Sequence, residues 1–305
     1  MTLTNKPRAG FTLLELLVVI AIIGVLMGLT ATAIFKLKAA TQGTRTTETL
    51  TKLQQAYDQQ YTAAITRIRA EQVPLGLRAM ANNDEDMAKA VHMKLSLRRE
   101  FPQNLADVND TGASTGNAGW NATLFAVYPP KKAYTDLAPL LATLSVDKQN
   151  AILLMAVLSQ ARGGASFNPE QIGSNASGTL PGTTQKIFVD GYGNPVYFVR
   201  ALSTPLAGDT YTPLLLSELN APPYVTAAAA AAKKADAVDP SGKLSQSWAS
   251  TPLMAAFVDG MRKYMNEPLD GTNRGPFVFS GGVDKTPFTT DDLYSFRIQG
   301  TGKAN

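Results

Sequence analysis

Residues 10–35 read GFTLLELLVVIAIIGVLMGLTATAIF. From Phe11 to Phe35 the run is 25 residues long, and its only charge is Glu15. At about 1.5 Å per residue such a helix reaches about 37 Å, enough to cross a hydrocarbon core about 30 Å thick. Lys36 and Lys38 close the run and can sit among headgroups. A short basic stretch, MTLTNKPRAG, precedes it as residues 1–10. Three readings compete. Ala31-Thr32-Ala33 has the form of a signal-peptidase site, but the apolar part of a secretory signal is about 7–15 residues long and rarely holds a carboxylate. A plain membrane anchor explains the length and gives no reason for Glu15. Charge bias does not orient it, because Lys6 and Arg8 on one side face Lys36 and Lys38 on the other. The third reading uses leader, Gly-Phe junction, glutamate and length together.

That combination, Gly10-Phe11-Thr12-Leu13-Leu14-Glu15 followed by the apolar run, resembles the processing site of type IV pilins and type II secretion pseudopilins. The resemblance implies that a prepilin peptidase cuts after Gly10, that Phe11 becomes a methylated N-terminus, and that Glu15 serves assembly. The physics agrees. A charged side chain at mid-bilayer costs roughly 2.5–3.5 kcal/mol on insertion scales, so something must offset it. Cleavage would create an amine at Phe11, one helical turn from Glu15 on the same face. In the family's filaments the glutamate meets the amine of a neighbouring subunit and sets axial register. Gly24 and Gly28 form a G-x-x-x-G in the same helix. Such small residues let helices approach closely in lipid, although glycine is common in membrane helices in any case. Many family members carry a proline late in this segment; this chain has none there.

The chain has 305 residues, 45% hydrophobic and 17% charged, which describes a globular protein carrying an apolar segment. Its net charge is +4; without Lys6 and Arg8, 26 basic residues stand against 24 acidic ones, a balance of +2. No long Lys/Arg run makes a basic face, so nucleic acid is an improbable partner. The absence of cysteine excludes disulfides, thiol chemistry and Cys-based zinc sites. The single histidine, His92, reads as a surface or core residue rather than a ligand.

Beyond Lys38 the helix is expected to continue, because Leu50, Leu53, Tyr57, Tyr61, Ile65 and Ile68 recur at intervals of three or four. Pro74 and Gly76 should end it, and Gly43 with the threonine-rich stretch 41–51 is its weak point. Helices are predicted over 84–101 and 144–160, the second buried and ending near Gly163-Gly164. Further helical turns are expected at the alanine run 227–232 and at 257–265, with a flexible loop at 109–119 and a Gly-, Ser-, Asn- and Pro-rich stretch at 163–184. A sheet signal begins at Lys186: Ile187-Phe188-Val189, a tight turn at 190–195, then Val196 to Val199. The turn Asp190-Gly191-Tyr192-Gly193-Asn194-Pro195 resembles the Asp-x-Trp/Tyr-Gly-x-Pro element of major pseudopilins, departing from it by Gly191; as a plain hairpin turn it reads equally well.

The chain closes on FVFSGGVD, residues 277–284, and TTDDLYSF, residues 289–296. This resembles the final strand–loop–strand of pseudopilins, where the loop often binds calcium. Asp284, Asp291 and Asp292 are the candidate ligands, since calcium prefers hard oxygen donors. The competing reading is that these aspartates make turns and caps. No nucleotide, hydrolase or metalloprotease motif occurs, and catalysis is not expected.

The expected fold is α+β and pilin-like. A leader (1–10) precedes a transmembrane helix (11–35) and its amphipathic continuation (36–72). A largely helical insertion (73–184) leads to a C-terminal antiparallel sheet region (185–305). The expected role is a pseudopilin subunit of a periplasmic filament in a type II secretion or related type IV pilus-like system. The partners implied are other pseudopilins, the prepilin peptidase, and the inner-membrane platform with its cytoplasmic ATPase. It would span the bacterial inner membrane once, N-terminus cytoplasmic and C-terminal domain periplasmic. The alternative is a membrane-tethered periplasmic binding or adhesion module.

Overall fold

A computed structural model describes residues 13–108, 127–164, 167–173, 176–200, 276–287, 291–295 and 298. The loop 109–119, the alanine run 227–232 and segment 257–265 lie outside them. One helix, α1 (Leu13–Ala70), dominates, with 58 residues and a length of about 87 Å at 1.5 Å per residue. It runs unbroken through the threonine-rich stretch that should have been its weak point. There the hydroxyls of Thr41, Thr44, Thr46, Thr47 and Thr51 each donate to the carbonyl four residues back, at 2.8–3.1 Å. Those bonds satisfy the hydroxyls within the helix and leave the main-chain ladder intact. Pro74 stands as the N-cap of α2 (Leu75–Met80), so it follows the end of α1 as expected; Gly76 lies inside α2 instead.

Two further helices appear where the apolar pattern placed them. In α3 (Glu85–Glu100) the Asp84 carboxylate accepts from the Met87 amide at 3.0 Å. Acidic residues occupy its first turn and arginines its last, which suits the helix dipole. Three single turns follow, α4 (Leu105–Val108), α5 (Lys132–Thr135) and α6 (Ala138–Leu141), and then α7 (Val146–Leu158). The sheet is antiparallel and in two parts. One pairs β1 (Ser177–Thr179) with β2 (Lys186–Phe188). The other has the order β3 (Val196–Val199), β4 (Phe277–Ser280), β5 (Leu293–Tyr294). Strand β1 precedes Lys186, where the sequence first signals a sheet.

The segment 187–199 is therefore strand, turn, strand, but β2 and β3 do not zip together. Only the single bridge Val189–Pro195 joins them at the turn. On the side of β3 away from β4, an amide side chain does the pairing. Asn150 of α7 accepts from the Phe198 amide at 2.8 Å and donates to the Phe198 carbonyl at 3.0 Å. A primary amide carries one acceptor and a donor pair in the spacing a neighbouring strand would offer. The edge of β3 is thus closed by a helix.

The predicted stripe on α1 is the spine of the core: Leu50, Leu53, Tyr57 and Ile68 are buried, with Tyr61 and Ile65 packed at the margin. Tyr57 meets Phe101 edge-on at 5.4 Å and Phe198 at 5.5 Å, so helix, loop and sheet converge on one ring. Helices α3 and α7 contribute Met93, Leu97, Ile152 and Leu153 to the same cluster. One polar residue also crosses this interface. Gln54 of α1 accepts from the Val278 amide at 3.0 Å and the Ser295 hydroxyl at 2.6 Å, and donates to the Pro276 carbonyl at 2.9 Å. A second, smaller core joins Val73, Leu77, Met87, Val91, Leu95 and Tyr128 beyond the end of α1.

Candidate assembly helix and its seat

The first half of α1 is not part of either core. Residues 13–41 are exposed throughout, and the most apolar window of the helix, mean hydropathy 2.6, has none of its residues buried. Among the described residues this is one helix long and apolar enough to cross a membrane. An apolar surface of this length marks a lipid or partner contact, because water alone would leave it unsatisfied. Glu15 stands on this surface in the first described turn of α1. A Cβ built on Gly24 or Gly28 would meet nothing within 4 Å, so the face they open is unoccupied among the described residues. Gly10 and Phe11 lie outside the described residues.

The helix enters the head at residues 42–46, and the turn 190–195 holds it there. The Gly191 amide donates to Thr46 Oγ1 at 3.0 Å. A Cβ on Gly191 would fall 2.1 Å from the Gln42 carbonyl oxygen and 2.9 Å from the Thr46 nitrogen. Only glycine allows the turn to lie directly on the helix backbone, which gives a physical reason for the residue that departs from the pseudopilin pattern. Asp190 organises the turn: its Oδ1 accepts from the amides of Tyr192 (2.9 Å) and Asn194 (2.8 Å), and its Oδ2 from the Ser280 hydroxyl. Burial raises the Asp190 carboxyl above its ordinary range, and the bonds from Ser280 and the turn amides pull it back in part. Asn194 ties the turn to the last loop through the Gly282 carbonyl at 2.7 Å. Beside this seat opens a cleft of about 380 Å³ lined by Arg45, Glu48, Ile172, Asp190 and Tyr192.

At the far end of the head, two buried carboxylates gather cations from distant segments. Glu100 receives Arg67 at 2.6 Å, Arg162 at 3.0 Å, and Lys131. The same Arg162 donates to the Tyr134 hydroxyl (2.8 Å) and the Val157 carbonyl (2.6 Å), and lies over the Phe101 ring. Burial alone would raise the Glu100 carboxyl, but hydrogen bonds from Lys131, Arg67 and Arg162 outweigh it and bring it down to about 2. Asp107 is held by Arg98 at 2.8 Å and Arg200 at 3.2 Å, and its carboxyl is likewise lowered despite burial. None of these residues forms a local motif: Glu100 and Arg162 are 62 positions apart. Alternation of polar and apolar residues gives no hint that they meet.

The aspartates of the final loop make turn contacts. Asp291 Oδ2 accepts from the amides of Val283 (2.6 Å) and Asp284 (3.1 Å), and Asp284 Oδ1 from Thr286 (2.8 Å). Asp292 is buried and accepts from the Tyr294 hydroxyl at 3.0 Å. Thr289 and Thr290 lie outside the described residues. Among the described residues, no group of three His, Asp or Glu side chains is gathered as a metal site would require. His92 is buried in α3, with Nδ1 2.6 Å from the Tyr128 hydroxyl.

Compared with known families, residues 5–31 match the prokaryotic N-terminal methylation motif. That span holds Gly10, Phe11, Glu15, Gly24 and Gly28. No curated protein and no solved structure matches the chain.

Proposed function

We propose, from a type IV pilin-like N-terminus of the kind prepilin peptidase processes, that this chain is a pseudopilin: a structural subunit of a periplasmic filament in a type II secretion or related system. In this reading the peptidase removes residues 1–10 and methylates Phe11. Residues 11–35 then hold the subunit in the inner membrane, N-terminus cytoplasmic and head periplasmic. Other pseudopilins, the inner-membrane platform and its ATPase are the partners, and assembly draws the apolar half of α1 out of lipid into a bundle of like helices. Glu15 meets the amine of Phe11 on the neighbouring subunit and sets register, while Gly24 and Gly28 allow close helix approach.

The observation that carries the reading is a methylation motif at residues 5–31 whose part from Leu13 on lies on the bare half of a helix, the other half of which is built into the head. The test is Glu15→Val in the full chain. The variant should insert and be cleaved, keep a folded head, and form no filaments when overproduced with its assembly machinery. A tethered binding module would be indifferent to that change, so wild-type levels of filament in the variant would refute the proposal.

A further inference from the structure

The junction where α1 ends and the second core begins holds the chain's one histidine. His92 is 6% exposed, and its Nδ1 shares a hydrogen bond with Tyr128 Oη at 2.6 Å. Its Nε2 is buried with no hydrogen-bond partner among the described residues. The group nearest to giving it one is Glu71 Oε2, 3.8 Å away, on the connection just past Ala70. The other oxygen of Glu71 is engaged by Arg67 Nε of the last α1 turn at 3.2 Å. Arg67 in turn reaches Glu100 at 2.6 Å. The other charged groups on elements packed here are Arg69 of α1, Arg78 of α2, and Glu85, Asp86, Lys89, Lys94, Arg98, Arg99 and Glu100 of α3, where Lys89 pairs with Glu85 and Arg98 with Asp107. Of these, Glu71 is the charge that acts on the ring.

In the neutral imidazole one nitrogen carries the proton, and the orphaned Nε2 costs buried polarity. Taking one proton from solvent makes both nitrogens donors. Nδ1–H then donates to the Tyr128 oxygen, and Nε2–H faces a carboxylate that needs to move less than about 1 Å to accept it. Glu71 can make that move: its side chain is half-exposed, it lies outside the helix, and its bond to Arg67 uses the other oxygen.

We propose that His92, Glu71 and Arg67 form an acid-operated latch, in which a protonated His92 closes onto Glu71 and ties the exit of α1 to α3. Burial holds the imidazole below its ordinary range while Glu71 pulls it up, so the latch is open near neutrality and closes on acidification. The latch joins the last turn of α1, a helix of the main core, to α3, whose residues enter both cores.

The test uses the full chain in detergent micelles with isotope label in histidine and in the backbone. One histidine gives one titrating imidazole. The latch requires that its midpoint lie below the ordinary 6.5, that Glu71→Gln move it to still lower pH, and that the amides of residues 71–73 shift with the wild-type midpoint. Glu71 is exposed enough that the variant should melt as wild type does at pH 8. A midpoint indifferent to Glu71→Gln would overturn the latch, and so would connection amides that stay still while the wild-type ring titrates.

Discussion

Between Leu13 and Thr41, α1 is exposed on every face; between Thr46 and Ile68 the same helix buries Thr46, Leu50, Leu53, Gln54, Tyr57, Gln60 and Ala64. The first half is apolar all round. The second is apolar on one stripe and polar elsewhere, with Lys52, Asp58 and Arg69 facing solvent. A helix apolar all round needs lipid or like helices around it, whereas a striped helix needs a core of its own. The change falls at residues 42–46, where Gly191 and Thr46 bring the turn against the helix. One continuous element can therefore belong to two solvents, and the head works as a clamp on the striped half alone.

The strongest way to break this contrast is at the far end of the clamp. Glu100→Ala would leave Arg162 buried without its carboxylate, a change that costs about 3–5 kcal/mol in buried ion pairs. Chemical denaturation of the head should register it, with the membrane half unaffected. Acid reaches the same group. Because the folded carboxyl titrates at about 2, below its unfolded value of 4.5, its contribution is complete above that unfolded value. It should fade as pH falls from about 4.5 toward 2.

The paired substitutions Leu53→Ala and Leu26→Ala sharpen the comparison directly. The first empties a fully buried site and should cost about 2–5 kcal/mol. The second removes the same atoms from a residue 56% exposed and should leave head stability within about 0.5 kcal/mol. Equal losses from both would mean that the apolar half folds back on the head. A smaller effect is expected at the seam: Gly191→Ala forces a methyl onto the Gln42 carbonyl, an overpacking of about 1–3 kcal/mol. Hydrogen exchange should then quicken at residues 42–46 before anywhere deeper in α1.

Much of this architecture was legible in the chain. The long apolar run and α7 follow from apolar stretches, and the striped continuation and α3 from a spacing that repeats on a buried face. From Lys186 on the sheet was legible in place and not in pairing, while β1 at Ser177–Thr179 was missed. Val196 to Val199 announces a strand, but nothing local says that Asn150, 48 positions earlier, fills the hydrogen bonds a hairpin partner would have taken. The charge clusters were invisible for the same reason, since their members come from α1, α3, α4 and segments beyond residue 130. The turn at 190–195 was read as a turn; that it grips Thr46, 145 positions away, is tertiary information. On the apolar half of α1, Glu15, Gly24 and Gly28 are exposed.

The central claim is that the chain is cut between Gly10 and Phe11, just ahead of the apolar half of α1. Mass spectrometry of the mature N-terminus, on protein purified from membranes that contain prepilin peptidase, tests it most directly. The account predicts a chain that starts at Phe11 with one added methyl group on its amine. A chain that starts at Ile34, after the Ala31-Thr32-Ala33 site, would contradict it, because the bare helix and Glu15 would then be absent from the mature protein.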